Sequence, residues 1–397
     1  MSPFLRSLVA SAPRRAPTLH LSHAHALRTF ATTTIARADS PKVPVALISK
    51  IRSARPGTPL SLARSALVAA NNDVQGALAW IAQQAQESGA KKAEKLAGRA
   101  AEQGLVAVAV LADGSGGVGV RASLVEMRCE TDFVARTDEF RELAEGIARS
   151  LAFFAEPSSS SAHQHELVKL DTKADALLET PVVPSPTKVA ELAKTGDTAP
   201  HETVKTSLAS IVSRLGENIR LHRASSVALE PTMPSDSSSA ASPVYLASSY
   251  LHGSKTPAAA AAADGVKSGL LGGLLISRLP ASAAPSMDAA EVKGLLRAFA
   301  RQVVAIPTAS IRSEAEGASA APTESGEPST ALYEQSLITM APSPKFEFEA
   351  GSKVGEVLKQ WSEARGVEGS GLEVVELARW ELGEAAEGDE VQAQAQA

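Results

Sequence analysis

Between Pro41 and Ala101 apolar residues recur at spacings of three and four, the period of a helix with one buried face. In "VALISKIRSA" they are Val45, Ile48 and Ile51, and Pro56-Gly57 breaks the run. In "LSLARSALVAANN" they are Leu62, Ala63, Ala66 and Leu67, with Asn71-Asn72 as the stop. Asp73 is placed to cap "VQGALAWIAQQA", whose apolar face is Val74, Ala77, Leu78 and Ile81. Three short helices in a small bundle are predicted, and "AKKAEKLAGRAAEQ" predicts a fourth. At Gly104 the period changes. "GLVAVAVLADGSGGVGVRASLVEMRCE" holds two β-rich apolar runs around a glycine-rich turn, which predicts a hairpin. Thr137 then caps a helix with Asp138 and Glu139 in its first turn, where the helix dipole favours acids. Its buried stripe is Phe140, Leu143, Ala144, Ile147, Ala148 and Leu151.

From Pro157 onward folded patterns alternate with low-complexity stretches such as "PSSSSAHQH", "PTMPSDSSSAASP", "KTPAAAAAADG" and "EAEGASAAPTESGEPST". Between them the pattern predicts a helix and then a strand starting near Glu217 in "TVKTSLASIVSRLGENIRLHRASSVAL". Further strands are expected in "VYLASSYLHG", "GLLGGLLISRL" and "GLEVVELARWELGE", with helices in "MDAAEVKGLLRAFARQVVAI" and "VGEVLKQWSEA". The order strand, glycine-containing turn, strand, helix describes residues 104–152 and again 244–304, so two similar α+β subdomains are expected. The fold class is therefore α+β: an N-terminal three-helix bundle, then a core of two α+β subdomains with small antiparallel sheets. The expected divisions are a leader at 1–38, the bundle at 43–86, a first subdomain at 87–230, a second at 231–385 and a disordered tail at 386–397.

Composition narrows the function. The 397 residues carry a net charge of -5, which argues against direct nucleic-acid binding, since phosphate affinity rests on clustered Lys and Arg. With one cysteine, Cys129, no disulfide can form within the chain. Residues 1–38 contain Arg6, Arg14, Arg15, Arg28 and Arg37, many Ser, Thr and Ala, and no acid, the composition of an organelle transit peptide. No run approaches the roughly 18 apolar residues of a membrane span.

Motif chemistry is sparse. "GSGGVG", Gly114 to Gly119, has dinucleotide-fingerprint spacing, but the segment after it reads as a strand where a phosphate site needs a helix N-terminus. No metal site or cofactor is expected, because His20, His23 and His25 lie in the leader, His163 and His165 lie in a Ser-rich insertion, and Cys129 lacks a partner cysteine. Cys129 reads as a small apolar filler at a strand end. The informative stretch is "RCETDFVART", Arg128 to Thr137. Either Phe133 tucks into the core while Thr131 or Asp132 satisfies a turn, or the flanking elements present Asp132 and Phe133 outward as an apolar wedge with a carboxylate beside it.

"CETDFVART" resembles the signature of the elongation factor Ts family, the guanine-nucleotide exchange factors for elongation factor Tu. The segment "ISKIRSARPGTPLSLARSALVAANNDVQGALAWI" resembles the family's ubiquitin-associated-like bundle. "AKKAEKLAGRAAEQGLV", "LGENIRLHR", "SSYLHG" and "LARWELGE" follow in the family's order. The likeness is strong over residues 43 to 155 and patchy beyond. The chain departs from the pattern at Ala63-Arg64, where a Cys-Lys pair is usual, at Gln103, and at Thr137 in place of Asn. The resemblance implies no covalent catalysis. It implies binding to mitochondrial elongation factor Tu, GDP-bound and nucleotide-free, in the mitochondrial matrix, without nucleic acid or membrane. Thr131, Asp132, Phe133 and Val134 would meet Tu and disturb its Mg²⁺, with Leu47, Ile48, Tyr250 and His252 as secondary contacts. A ubiquitin-binding adaptor and a dinucleotide enzyme are the competing classes.

Overall fold

A computed structural model describes residues 43–384, except 56, 159–164, 196–201, 232–242, 255, 257–260, 262–263, 281–287, 314–327, 344–345 and 368–370. The expected leader, the expected tail and most of each low-complexity stretch lie outside the described residues. Among the described residues are ten α-helices and eight strands, a mixed α+β architecture with two antiparallel sheets.

The first helices follow the pattern. α1 (Val45–Ala54), α2 (Leu60–Ala69) and the first half of α3 (Val74–Leu96) enclose Ile48, Ile51, Ala63, Ala66, Leu67, Ala77 and Ile81. Asn71 and Asn72 adopt left-handed φ of 50° and 65° and end α2. The Asp73 carboxylate then caps α3 by accepting the Gly76 N–H at 2.7 Å. The expected fourth helix does not exist as a separate element. α3 runs unbroken across Gly89 to Leu96, past the 86/87 division, and "AGRAAEQ" turns into a strand. Gly89 marks a contact, not a break. A Cβ there would stand 2.0 Å from the Ala209 carbonyl oxygen.

The first sheet has the order β3-β4-β2-β1-β6, with β1 (Gln103–Asp113), β2 (Val120–Cys129), β3 (Val168–Leu170), β4 (Arg220–Leu229) and β6 (Val266–Gly269). The predicted hairpin is β1–β2. Gly114, Gly116, Gly117 and Gly119 all take positive φ in its turn, and a strand follows them, so they are turn residues and no phosphate cradle. The second sheet has the order β5-β7-β8, with β5 (Val244–His252), β7 (Leu271–Leu279) and β8 (Glu373–Glu381). β4 begins three residues later than expected, because Glu217 is used elsewhere. The pattern also missed β3, β6 and the helix α6 (Asp175–Leu178), which are three or four residues long, and the ten-residue helix α7 (Pro186–Thr195).

Alternation explains how the sheets stack. On β1, Leu105, Ala107 and Ala109 join the core under α5 (Asp138–Phe153) and α8 (Val204–Leu215). Val106 and Val108 face the other way and meet Ala247, Leu251, Leu274 and Ile276 of the second sheet. The outer face of the second sheet packs on α9 (Ala289–Ala305) and α10 (Val354–Ala364) through Phe299 and Trp361. The layers are thus helix, sheet, sheet, helix. Each fully buried Leu, Ile or Phe in them contributes about 1.5–3 kcal/mol of transfer free energy. The expected repetition is real for β1–β2–α5 and β5–β7–α9, but β6, lying between β5 and β7 in the chain, pairs with β1 and completes the first sheet. The chain changes sheets at Gly269, where a Cβ would lie 2.6 Å from the His252 carbonyl oxygen.

Candidate functional site

The stretch after β2 forms α4 (Asp132–Ala135), a single helical turn. Four residues have too few internal hydrogen bonds to hold a helix alone, so its shape is imposed from both ends. Thr131 caps its start by accepting the Val134 N–H at 3.4 Å. At its end Thr137 Oγ1 donates to the Val134 carbonyl at 2.8 Å and accepts the Phe140 N–H at 3.3 Å, which starts α5 at once. The threonine found where the family pattern has Asn therefore serves as the helix cap.

Val134 is the side chain this turn buries, in the cluster with Phe140 and Cys129. Phe133, one position earlier, points the other way and is 81 % exposed. The reading in which Phe133 tucks into the core is excluded. Asp132 is half exposed and pairs with Arg136 at 2.7 Å, one turn on. Of the four residues expected to meet a partner here, Asp132 and Phe133 are presented outward, while Thr131 and Val134 anchor the turn from within.

The base of the turn is held by a segment remote in sequence. Glu217 Oε1 accepts the Thr131 hydroxyl at 2.6 Å, and its Oε2 accepts the Thr131 N–H at 3.1 Å. In return Glu130 Oε1 accepts the Asn218 N–H at 2.6 Å. Asn218 Nδ2 donates to the Arg99 carbonyl at 2.7 Å, and Arg99 lies 3.5 Å from Glu130. Cys129 is fully buried beneath and its thiol donates to the Thr131 carbonyl at 3.2 Å. Burial, with the nearby Glu217 carboxylate, pushes the thiol pKa up to about 12, which removes it as a nucleophile at neutral pH.

A second network ties the turn to the far sheet. Glu126 on β2 is fully buried and accepts from Arg128 Nε and Arg223 Nε, both at 2.6 Å. Arg128 Nη2 reaches the Glu384 carbonyl at 2.8 Å. Arg223 lies over the Trp380 ring at 4.5 Å and donates to the Glu381 carbonyl at 3.1 Å. Leu382 N–H donates to Leu270, and Leu270 N–H to His252. α4 and His252 therefore stand at the same end of the stacked sheets.

The secondary contacts fare differently. Tyr250 is half-buried on the outer face of the second sheet, under the Arg301 guanidinium at 5.5 Å. His252 shares that face and is exposed. Ile48 is 8 % exposed in the bundle core with Leu47 packed beside it, whereas Val45, expected on the same buried face of α1, is 80 % exposed. Pattern reading gave no role to Glu217, Asn218, Glu126 or Arg223. The only signal for Glu217, Asn218 and Arg223 was the match of "LGENIRLHR", which located them without saying what they touch.

The family model for elongation factor Ts matches residues 130–267, from the glutamate at the base of the turn through α8 and β4 to β6. The chain is 34% identical over 350 positions to "Elongation factor Ts, mitochondrial" of Coprinopsis cinerea, covering 85% of this chain and 91% of that one. It is 30% identical over 398 positions to the protein of that name in Malassezia globosa, covering 91% and 93%. This chain belongs to the elongation factor Ts family. A further relative of the same name, from Mycosarcoma maydis, is 31% identical with 87% and 86% covered. The chain is accordingly a translation elongation factor of the mitochondrial branch. Among the described residues no helix is long and apolar enough to cross a membrane.

Proposed function

We propose that this chain is the guanine-nucleotide exchange factor for mitochondrial elongation factor Tu. It acts without covalent catalysis, by binding the nucleotide-free state of Tu more tightly than the GDP state. By linkage, such a partner weakens GDP by the same factor by which GDP weakens it. The observation that carries this reading is the exposure of Phe133 on a turn fastened at both ends. A large apolar side chain held in water by a rigid frame is poised to fill a partner's pocket, with most of its ordering entropy already lost. Asp132 beside it supplies a carboxylate where Tu holds the Mg²⁺ and phosphates of GDP. Phe133 wedges the nucleotide domain and Asp132 competes for the metal's surroundings. Tyr250 and His252, at the same end of the molecule, provide a second grip. No nucleic acid or membrane enters the reaction.

The test is release of labelled GDP from mitochondrial Tu. Phe133→Ala should slow release at least about 30-fold, the loss of an anchor of about 2 kcal/mol felt in the transition state. Its melting temperature should stay near the parent's, since an exposed side chain leaves no cavity. Asp132→Asn should cause a smaller, Mg²⁺-dependent loss. A Phe133→Ala protein that exchanges at the parental rate would falsify the wedge.

A further inference from the structure

We infer that Glu217 is a positioning residue for nucleotide exchange. It touches none of the outward side chains of α4, yet it fixes the turn that carries them. This deepens the exchange reading and rests on it. In an ordinary capping box the third residue of the helix is Glu or Gln and reaches back to the N-cap N–H. Here that third residue is Val134, and it is buried in the core. The returning carboxylate comes instead from Glu217, 86 positions away, in the loop between α8 and β4. It satisfies both the N–H and the hydroxyl of Thr131. The turn can thus spend its third position on core packing and its first two, Asp132 and Phe133, on the outer face. Asn218 closes the same clasp on Glu130.

The consequence is a pre-set equilibrium. A four-residue turn released from this clasp has little to keep it folded, and a partner's apparent affinity falls with the fraction of molecules in the presenting form. A partner at saturation still selects that form, so the maximal exchange rate is conserved while the concentration needed rises.

The chain carries its own reporter, because its single cysteine, Cys129, lies beneath the clasp and is fully buried. In the full-length protein at pH 8, Glu217→Gln keeps the shape but gives up one of the two acceptors. We expect thiol labelling of Cys129 in native buffer to accelerate about 10-fold or more, the size of a lost charged hydrogen bond. The concentration of Glu217→Gln giving half-maximal GDP release from Tu should rise about threefold or more, with the plateau rate unchanged. Thr131→Val should behave as Glu217→Gln does, and Thr131→Ser, which restores the hydroxyl, should behave as the parent. Faster labelling with unaltered half-saturation overturns the proposal. So does labelling that keeps the denaturant dependence of global unfolding, because the role is then structural only. Failure of the wedge itself shows separately, in Phe133→Ala.

Discussion

Phe133 and Val134 are adjacent, one exposed and one buried, and a single helical turn is enough to separate them. That opposition was half legible in the sequence. The run "ETDFVART" announced a turn with an acid, an aromatic and a cap, and its resemblance supplied the direction. The clasp by Glu217 was not legible, because hydrogen bonds between residues 86 apart leave no periodic trace. Arg136 gives a residue-scale prediction. Its pair with Asp132 is solvated on both sides, and such pairs contribute about 0.2–1 kcal/mol. Arg136→Gln should therefore keep the melting temperature within about 4 °C of the parent. A larger drop would show that the pair supports the turn as a structural brace.

Elements were read well where the period was strong and long. β1, β2, α5 and α9 fall where alternation or the three-four spacing put them. The errors came from contacts between elements. The predicted helices stopped at Ala85 and resumed at Ala90, yet Gly89 between them lies inside α3 at the point where it meets α8, beside a Ser88–Ser213 hydroxyl pair at 2.9 Å and Lys92 on the Ser213 carbonyl at 2.8 Å. This yields a prediction opposite to helix propensity. On an isolated helix Gly→Ala is favourable by about 1 kcal/mol. Here the added methyl meets the Ala209 carbonyl, and overpacking of this kind costs about 1–3 kcal/mol. Gly89→Ala should lower the denaturant midpoint, and a raised midpoint would refute the close contact. The same reasoning explains β6. Four residues carry no reliable pattern, and its place beside β1 is decided by the sheet it joins.

At the scale of the whole molecule, the two sheets are joined by an apolar layer and by a charged knot around Glu126. Glu126 is fully buried, with Arg128 and Arg223 as its charged partners. Breaking a buried pair by deleting one partner costs about 3–5 kcal/mol, because a charge is left uncompensated. Glu126→Ala strands two guanidinium groups and should show a loss of that size in urea unfolding. Replacing Glu126, Arg128 and Arg223 together by Leu, Met and Met should recover most of it. A triple variant as unstable as the single one would mean that the guanidinium contacts to Trp380, Glu381 and Glu384, which only the triple removes, contribute as much to the joint as the uncompensated charge costs.

That knot also sets an order of events in time. A protein bound for the mitochondrion is threaded across membranes extended, its amino end leading. β2 and the turn bearing Phe133 arrive early, whereas Glu381 and Glu384 follow much later along the chain. Until they do, Glu126 and its two arginines have no second sheet to close upon, and the long loop between residues 128 and 384 must be drawn shut last. A chain released short of Trp380 would carry the whole signature from Glu130 to Thr137 and lack the ring and carbonyl contacts that Arg128 and Arg223 make with Trp380, Glu381 and Glu384.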